Sequence, residues 1–190
     1  MVASNENKRN DFHDYLLERF GAPGEALYMG ALGFIAITVN GFAAYLLKYP
    51  LLFPSLAPTV FHIFRSPLDD AASPRNTIIG HFVGLVVGFL SLAVFGLLNT
   101  PSVLQEGVTL PHVWTAAFSL AVAEAVLIVF NRPHPPAATT TLLVSLGIFK
   151  SPVELLSLAA GILLLTTTCW VLNHSMGVPV PLWSPSRPEE

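Results

Sequence analysis

The chain has 190 residues, of which 53% are hydrophobic and only 11% charged, and its formal net charge is −3. A mean hydropathy of +0.62 leaves too little polar surface for a soluble domain. The small negative charge gives no reason to expect a nucleic-acid partner, and a single cysteine, Cys169, excludes a disulfide framework or a thiolate metal cluster.

Residues 1–24 carry charges throughout and no apolar core, so a cleaved signal peptide is not expected. Within them Phe12, Tyr15, Leu16 and Phe20 recur at helical spacing opposite Asp11, Asp14 and Glu18. That pattern predicts a short amphipathic helix on the membrane surface, with a disordered tail as the alternative. Residues 25–174 read as a transmembrane domain. Four runs are long and apolar enough to span a hydrocarbon core: Ala26–Leu47, Ile78–Leu98, Val113–Phe130 and Leu155–Leu172. Two shorter runs, Leu51–Phe64 and Ala137–Phe149, follow proline-containing breaks. Residues 175–190 read as an extended, exposed tail, proline-rich from Pro179.

The break Asn131-Arg132-Pro133-His134-Pro135-Pro136-Ala137 stands out, because proline lacks an amide donor and disfavours helix before it. Irregular backbone at membrane depth persists only where protein buries it or water lines it. The chain also repeats: Ile63-Phe64-Arg65-Ser66-Pro67 returns as Ile148-Phe149-Lys150-Ser151-Pro152, with the same order of elements around each copy. The expected fold is an all-α membrane bundle of four long spans plus two short Pro-broken helices. If the short helices cross, they form two inverted three-crossing repeats, about 26–98 and 113–172; if they re-enter, four spans remain. Six crossings put Lys8, Arg9, Arg19, Arg65, Arg75, Arg132 and Arg187 on one side, against Lys48 and Lys150 on the other. Four spans erase that bias, so the positive-inside rule favours six crossings with both termini cytoplasmic; a prokaryotic plasma membrane is the expected location, with a chloroplast envelope as the alternative.

In this arrangement the short helices begin inside the membrane, near Pro54–Thr59 and Pro136–Thr140. A helix start offers unpaired amides and a partial positive charge, so two starts meeting at the midplane would hold a small anion. Ser55, Thr59, Thr139, Thr140 and Thr141 add hydroxyls, or else satisfy backbone groups that the prolines free. Ser73-Pro74 reads as an N-cap with proline in the first helical position. Arg75 and Asn76 then sit in a first turn where acidic residues suit the dipole better, so Arg75 calls for a bound anion or a partner carboxylate. His81 lies one to two turns deeper. Arg75, Arg132, His81 and His134 fall on one side and outline an anion-attracting vestibule. Glu124, inside a long span, is a candidate proton carrier or partner for His81, or else a protonated helix-to-helix contact. Asn40 reads as structural, and Gly80, Gly84 and Gly88 as a face for close helix packing, within one protomer or between protomers.

Three blocks resemble the HPP family of integral membrane proteins: Pro54-Ser55-Leu56-Ala57-Pro58-Thr59, Pro74-Arg75-Asn76 with Gly80-His81, and His134-Pro135-Pro136-Ala137. The family often has Gly where Ala57 stands and Gly-Ala in place of Ala138-Thr139, differences that bear on the size of the site. The resemblance implies a transporter, nitrite transport being assigned to some cyanobacterial and chloroplast members, and a fold usually described as four-spanning. The functional expectation is therefore a transporter or channel for a small monovalent anion, nitrite being implied by likeness alone. Arg75, Asn76, Arg132, His134 and the hydroxyls of Ser55, Thr59, Thr139 and Thr140 would contact the anion, and His81 and Glu124 would couple protons. No cofactor, metal or enzymatic activity is expected: His81, His134 and Glu124 lack the His-Glu-x-x-His spacing of a helical metal site. A sensor or scaffold with its breaks packed shut is the competing class, followed by an intramembrane metal enzyme with His81, His134 and Glu124 as ligands. The small chain suggests a homo-oligomer.

Overall fold

A computed structural model of the chain describes residues 12–183, and these are helical wherever they are regular. Helix α1 covers Phe12–Phe20, α2 Ala22–Leu47, α3 Leu56–Arg65, α4 Pro74–Val94, α5 Val103–Glu106, α6 Leu110–Val129, α7 Ala137–Ser145 and α8 Pro152–Ser175. Four of them, α2, α4, α6 and α8, are long and apolar enough to cross a membrane. Phe34, Leu46, Val94, Ile128 and Val129 point outward from the bundle, as lipid-facing side chains do. The predicted spans are found, and α4, α6 and α8 begin about one turn earlier than hydropathy alone suggests, each with proline in its first turn.

Both short runs become helices only after their prolines. The chain leaves α2 through Lys48, in the left-handed conformation at φ 60°, and runs without helix through Pro50 and Phe53 before α3 starts. Asn131, at φ 52°, ends α6: its amide bonds the Ile128 carbonyl at 3.0 Å, and that of Arg132 bonds Leu127 at 2.8 Å. This is a Schellman motif, with asparagine tolerating the left-handed residue. It turns the chain into the His-Pro-Pro break.

Where the short helices end is decided by three contacts. Arg65, at the end of α3, pairs with Glu25 in the first turn of α2 at 3.1 Å. Residues 48–65 thus carry the chain back along the whole of α2, the eight or so non-helical residues making up the reach that a ten-residue helix lacks. At the other end of the bundle, the amide of Val103 bonds the Leu146 carbonyl at 3.2 Å, and Lys150 reaches the Thr100 carbonyl. The end of α7 therefore lies beside the connection that precedes α6.

The packing partners are related by exchange of the two halves. Helix α2 packs on α3 as α6 packs on α7; α8 packs on α2 and α3 as α4 packs on α6 and α7; α4 and α8 pack on each other. The glycines predicted to allow close approach do so within the protomer. A Cβ on Gly84 would stand 2.9 Å from the Ala137 carbonyl oxygen, and one on Gly88 2.9 Å from that of Thr141, so α7 lies directly on the backbone of α4. Gly161 of α8 does the same for the first break, against the Leu51 carbonyl. Asn40, structural as expected, donates its Nδ2 protons to the carbonyls of Leu51 (3.2 Å) and Gly161 (2.8 Å), pinning that break between α2 and α8.

Helix α1 covers the segment read as amphipathic, with Phe12, Tyr15 and Phe20 of its apolar set exposed. It buries His13 and Leu16 against the start of α2, and its first amide bonds the Met176 carbonyl at 3.2 Å. The tail corrects one expectation. Val178 and Val180 are buried, and the Trp183 carbonyl accepts from the Arg75 amide at 3.0 Å, so the segment reaches back to α4 instead of standing free. Residues 1–11 and 184–190, including the polar start of the N-terminal segment and the last prolines, lie outside the described residues.

Candidate functional site

The starts of α3 and α7 meet. Ser55 Oγ and Thr140 Oγ1 share a hydrogen bond of 2.8 Å across 85 residues of sequence. Thr140 Oγ1 lies 2.7 Å from His81 Nδ1, and His81 Nε2 lies 2.9 Å from Thr59 Oγ1 and 3.2 Å from His134 Nε2. Thr59 closes the ring by donating to the Ser55 carbonyl at 2.9 Å, and His134 Nδ1 reaches the Ala71 carbonyl at 2.8 Å. Ser55, Thr59, His81 and Thr140 are fully buried and His134 is 2% exposed.

The directions of these bonds follow from what each atom is able to do. A carbonyl only accepts, so His134 carries its proton on Nδ1 for Ala71 and presents a lone pair on Nε2. His81 Nε2 must then carry a proton, since two facing lone pairs at 3.2 Å would repel. That leaves His81 Nδ1 as an acceptor for the Thr140 hydroxyl, and Thr140 as acceptor for Ser55. With both imidazoles neutral, each ring nitrogen and each hydroxyl of the five side chains has a partner, as a dry interior demands.

Close packing holds this geometry. A Cβ on Gly80 would approach the His134 Cβ to 2.6 Å, so the His-Pro-Pro break lies against α4 only because residue 80 is glycine. The Ser73-Pro74-Arg75-Asn76 block positions the acceptor of His134. Ser73 Oγ accepts from the Asn76 amide, as its N-cap reading predicts, and donates to the Asp70 carbonyl at 2.7 Å. Asn76 Nδ2 donates to the same carbonyl at 3.0 Å, and Arg75 pairs with the Asp70 carboxylate at 3.4 Å. The 3₁₀ turn Asp70–Ala72 is thereby fixed with its Ala71 carbonyl aimed at His134.

Several predicted roles change. The helix starts come together, but their amides are engaged. Leu56 and Ala57 donate to Phe53 and Pro54; Ala137, Ala138 and Thr139 donate to His134, Pro135 and Pro136; Pro58 has no amide. The tight turns that enter each helix thus consume the donors foreseen for an anion. Arg75 has the partner carboxylate in Asp70, and Asn76 is a buried turn brace, so neither faces the cluster. Glu124 makes no bond to His81: it lies on the outer face of α6, in a groove of about 220 Å³ that it lines with Leu127, Pro133, His134 and Pro135. Thr139 lines a neighbouring groove with Pro58, Phe61 and His62, outside the ring, and Arg132 is half-buried at the mouth of the break. Thr141 bonds back to the Ala137 carbonyl at 3.0 Å, a backbone-satisfying role.

Sequence reasoning missed Asp70 and Ala71. The acidic pair Asp69-Asp70 just before Ser73-Pro74 signalled a capped turn, but nothing local said which carbonyl would meet a histidine 63 residues away.

Among the described residues, no group of three or more His, Cys, Asp or Glu side chains converges as a metal site would require. No curated protein and no solved structure matches the chain. The family model described as "HPP, transmembrane region" matches residues 19–181, nearly the whole bundle and all three sequence blocks, and the chain belongs to that family of integral membrane proteins.

Proposed function

We propose that this chain is a transporter or channel for a small monovalent anion, with the buried Ser55–Thr140–His81–His134 cluster at its centre and nitrite as the substrate nominated by family likeness. The observation that carries this reading is the meeting of two helix starts around five buried, mutually bonded polar side chains. Buried polar groups in a membrane interior are costly and mark solute or proton pathways by default. Two halves of exchangeable packing, each with one short helix starting at the centre, suit alternating access by inverted repeats around a fixed site. In that scheme the bundle crosses six times with both termini cytoplasmic.

With the helix-start amides engaged, an anion would be held by the hydroxyls of Ser55 and Thr140 and the N–H of His81, each of which must first release its partner in the ring. The ring is closed to solvent, so permeation requires the first break or the His-Pro-Pro break to open. Arg132 at the mouth draws anions inward, and His81 and Glu124 serve proton coupling. No enzymatic step or metal is assigned. Glu124 facing outward from α6 favours a protein neighbour over lipid, hence a homo-oligomer.

Purified protein in liposomes should move nitrite, and His134→Ala should abolish that flux while the protein still folds. No flux of nitrite, nitrate, formate or halide would overturn the proposal. The complete internal hydrogen bonding of the ring favours one second reading, a sensor or scaffold whose breaks stay packed shut. It predicts a folded protein and no flux under any gradient.

A further inference from the structure

Resting on that reading of the site, we infer that the cluster is a one-proton relay, which takes up a proton at Ser55 and stores it on His134 through Thr140 and His81. The bond directions derived above form a single polarised chain: Ser55 O–H to Thr140, Thr140 O–H to His81 Nδ1, and His81 Nε2–H to His134 Nε2. The three links measure 2.8, 2.7 and 3.2 Å. Each donor lies within hydrogen-bond distance of the next acceptor, the His81 Nε2–H being shared between Thr59 Oγ1 at 2.9 Å and His134 Nε2 at 3.2 Å.

The step balances. One proton binds a lone pair of Ser55 Oγ, and the former Ser55 proton passes to Thr140 Oγ1. The Thr140 proton passes to His81 Nδ1, and the His81 Nε2 proton to the lone pair of His134 Nε2. Only O–H and N–H bonds break and form; one proton enters and one positive charge appears, as a His134 imidazolium. Discharge runs the same bonds backwards. When the charge arrives, Nδ1–H stays on the Ala71 carbonyl, and Glu124 lines the same groove as His134. The other titratable groups around His134 are His62 on α3, 3.5 Å from Asp69, and the Asp70–Arg75 pair that braces the Ala71 turn.

Two features fix the resting arrangement of the relay. Thr59 is committed to the Ser55 carbonyl, so it accepts from His81 Nε2 and offers no competing proton. The Ala71 carbonyl denies His134 the opposite tautomer, in which a bare Nδ1 would face an oxygen lone pair. The single link whose loss severs the chain at its middle is the Thr140 hydroxyl.

The test measures nitrite flux and internal pH together in proteoliposomes, for wild type, Thr140→Val and Thr140→Ser. Solution or solid-state ¹⁵N spectra of histidine-labelled protein report which ring nitrogens carry protons. The expected result is proton movement with nitrite in wild type, at least a ten-fold fall in protons moved per nitrite in Thr140→Val, and recovery in Thr140→Ser. The spectra should show His81 protonated on Nε2 and His134 on Nδ1. Ser55→Ala, which removes the entry link, replaces Thr140→Val if that variant does not fold. Nitrite flux without proton movement overturns the relay and leaves the transport reading standing. Absence of all anion flux overturns the transport reading; proton leak lost in Thr140→Val then upholds the relay, and its absence overturns it. Unchanged proton coupling in the variants, the opposite tautomers, or one metal ion per chain bound at the two Nε2 atoms would each overturn the relay.

Discussion

Gly80 and His134 are in backbone-limited contact: a Cβ on the glycine would stand 2.6 Å from the Cβ of the histidine and 3.1 Å from its ring. The His-Pro-Pro break therefore lies on α4 as close as two chains allow, and the imidazole pair depends on that approach. Gly80→Ala should push His134 off the Ala71 carbonyl and away from His81. Overpacking of this kind typically costs about 1–3 kcal/mol. Thermal unfolding in detergent should register the loss, and the ¹⁵N signal of His134 Nδ1–H should shift. An unchanged melting temperature and spectrum would contradict the packing described for this face.

Asn40 offers a second test, at the other break. Its amide protons satisfy the carbonyls of Leu51 and Gly161, both in a buried setting. Asn40→Leu leaves the Leu51 carbonyl, which lies in the non-helical break, without a partner, a loss of about 1–3 kcal/mol. The variant should unfold at lower temperature than wild type, whereas Asn40→Gln, if its longer arm reaches either carbonyl, should recover part of the difference.

The pairing of Arg65 with Glu25 makes a topological prediction. If residues 48–65 cross the membrane, Lys48 and Arg65 face opposite compartments. In a background with Cys169 replaced by alanine, a membrane-impermeant thiol reagent should label Lys48→Cys and Lys150→Cys from outside. Ser66→Cys and Asn131→Cys should be labelled only after the cytoplasmic side is opened. Labelling of all four from one side would restore the four-span scheme.

Glu124 is exposed on the outer face of α6, in its second half beside the His-Pro-Pro break, and an acidic side chain facing lipid is costly. A protomer interface here predicts efficient disulfide cross-linking of Ala121→Cys, one turn away on the same exposed face, in native membranes. Glu124→Leu should leave the unfolding free energy of the bundle within about 0.5 kcal/mol of wild type, as surface changes do. A monomer by cross-linking at every outward α6 position would dismiss the interface.

Much of this molecule was legible before any coordinates. Hydropathy marked the long spans, and prolines marked where helices would not run, because both are properties of a few neighbouring residues. The same local reading placed Ser73 as an N-cap and Gly80, Gly84 and Gly88 as a packing face, and each is so. It overestimated the free amides at the breaks, since a turn that winds back onto its own carbonyls differs from an open helix start only in a few dihedral angles. It also placed Arg75 near the anion, although the carboxylate beside it, Asp70, lay only five residues upstream.

The sequence alone decided that this chain lives in a bilayer, that two of its short helices follow proline breaks, that Ser55, His134 and Thr140 lie at those breaks, and that His81 lies within a long span. Only the tertiary structure decided that these four meet, in what order they bond, and that Glu124 faces outward. The reason is distance along the chain. The contacts join residues 53 to 85 positions apart, and no local preference encodes which helix start will pack against which. Packing of α7 on the glycine face of α4 makes that choice, and with it the tautomer each histidine must hold.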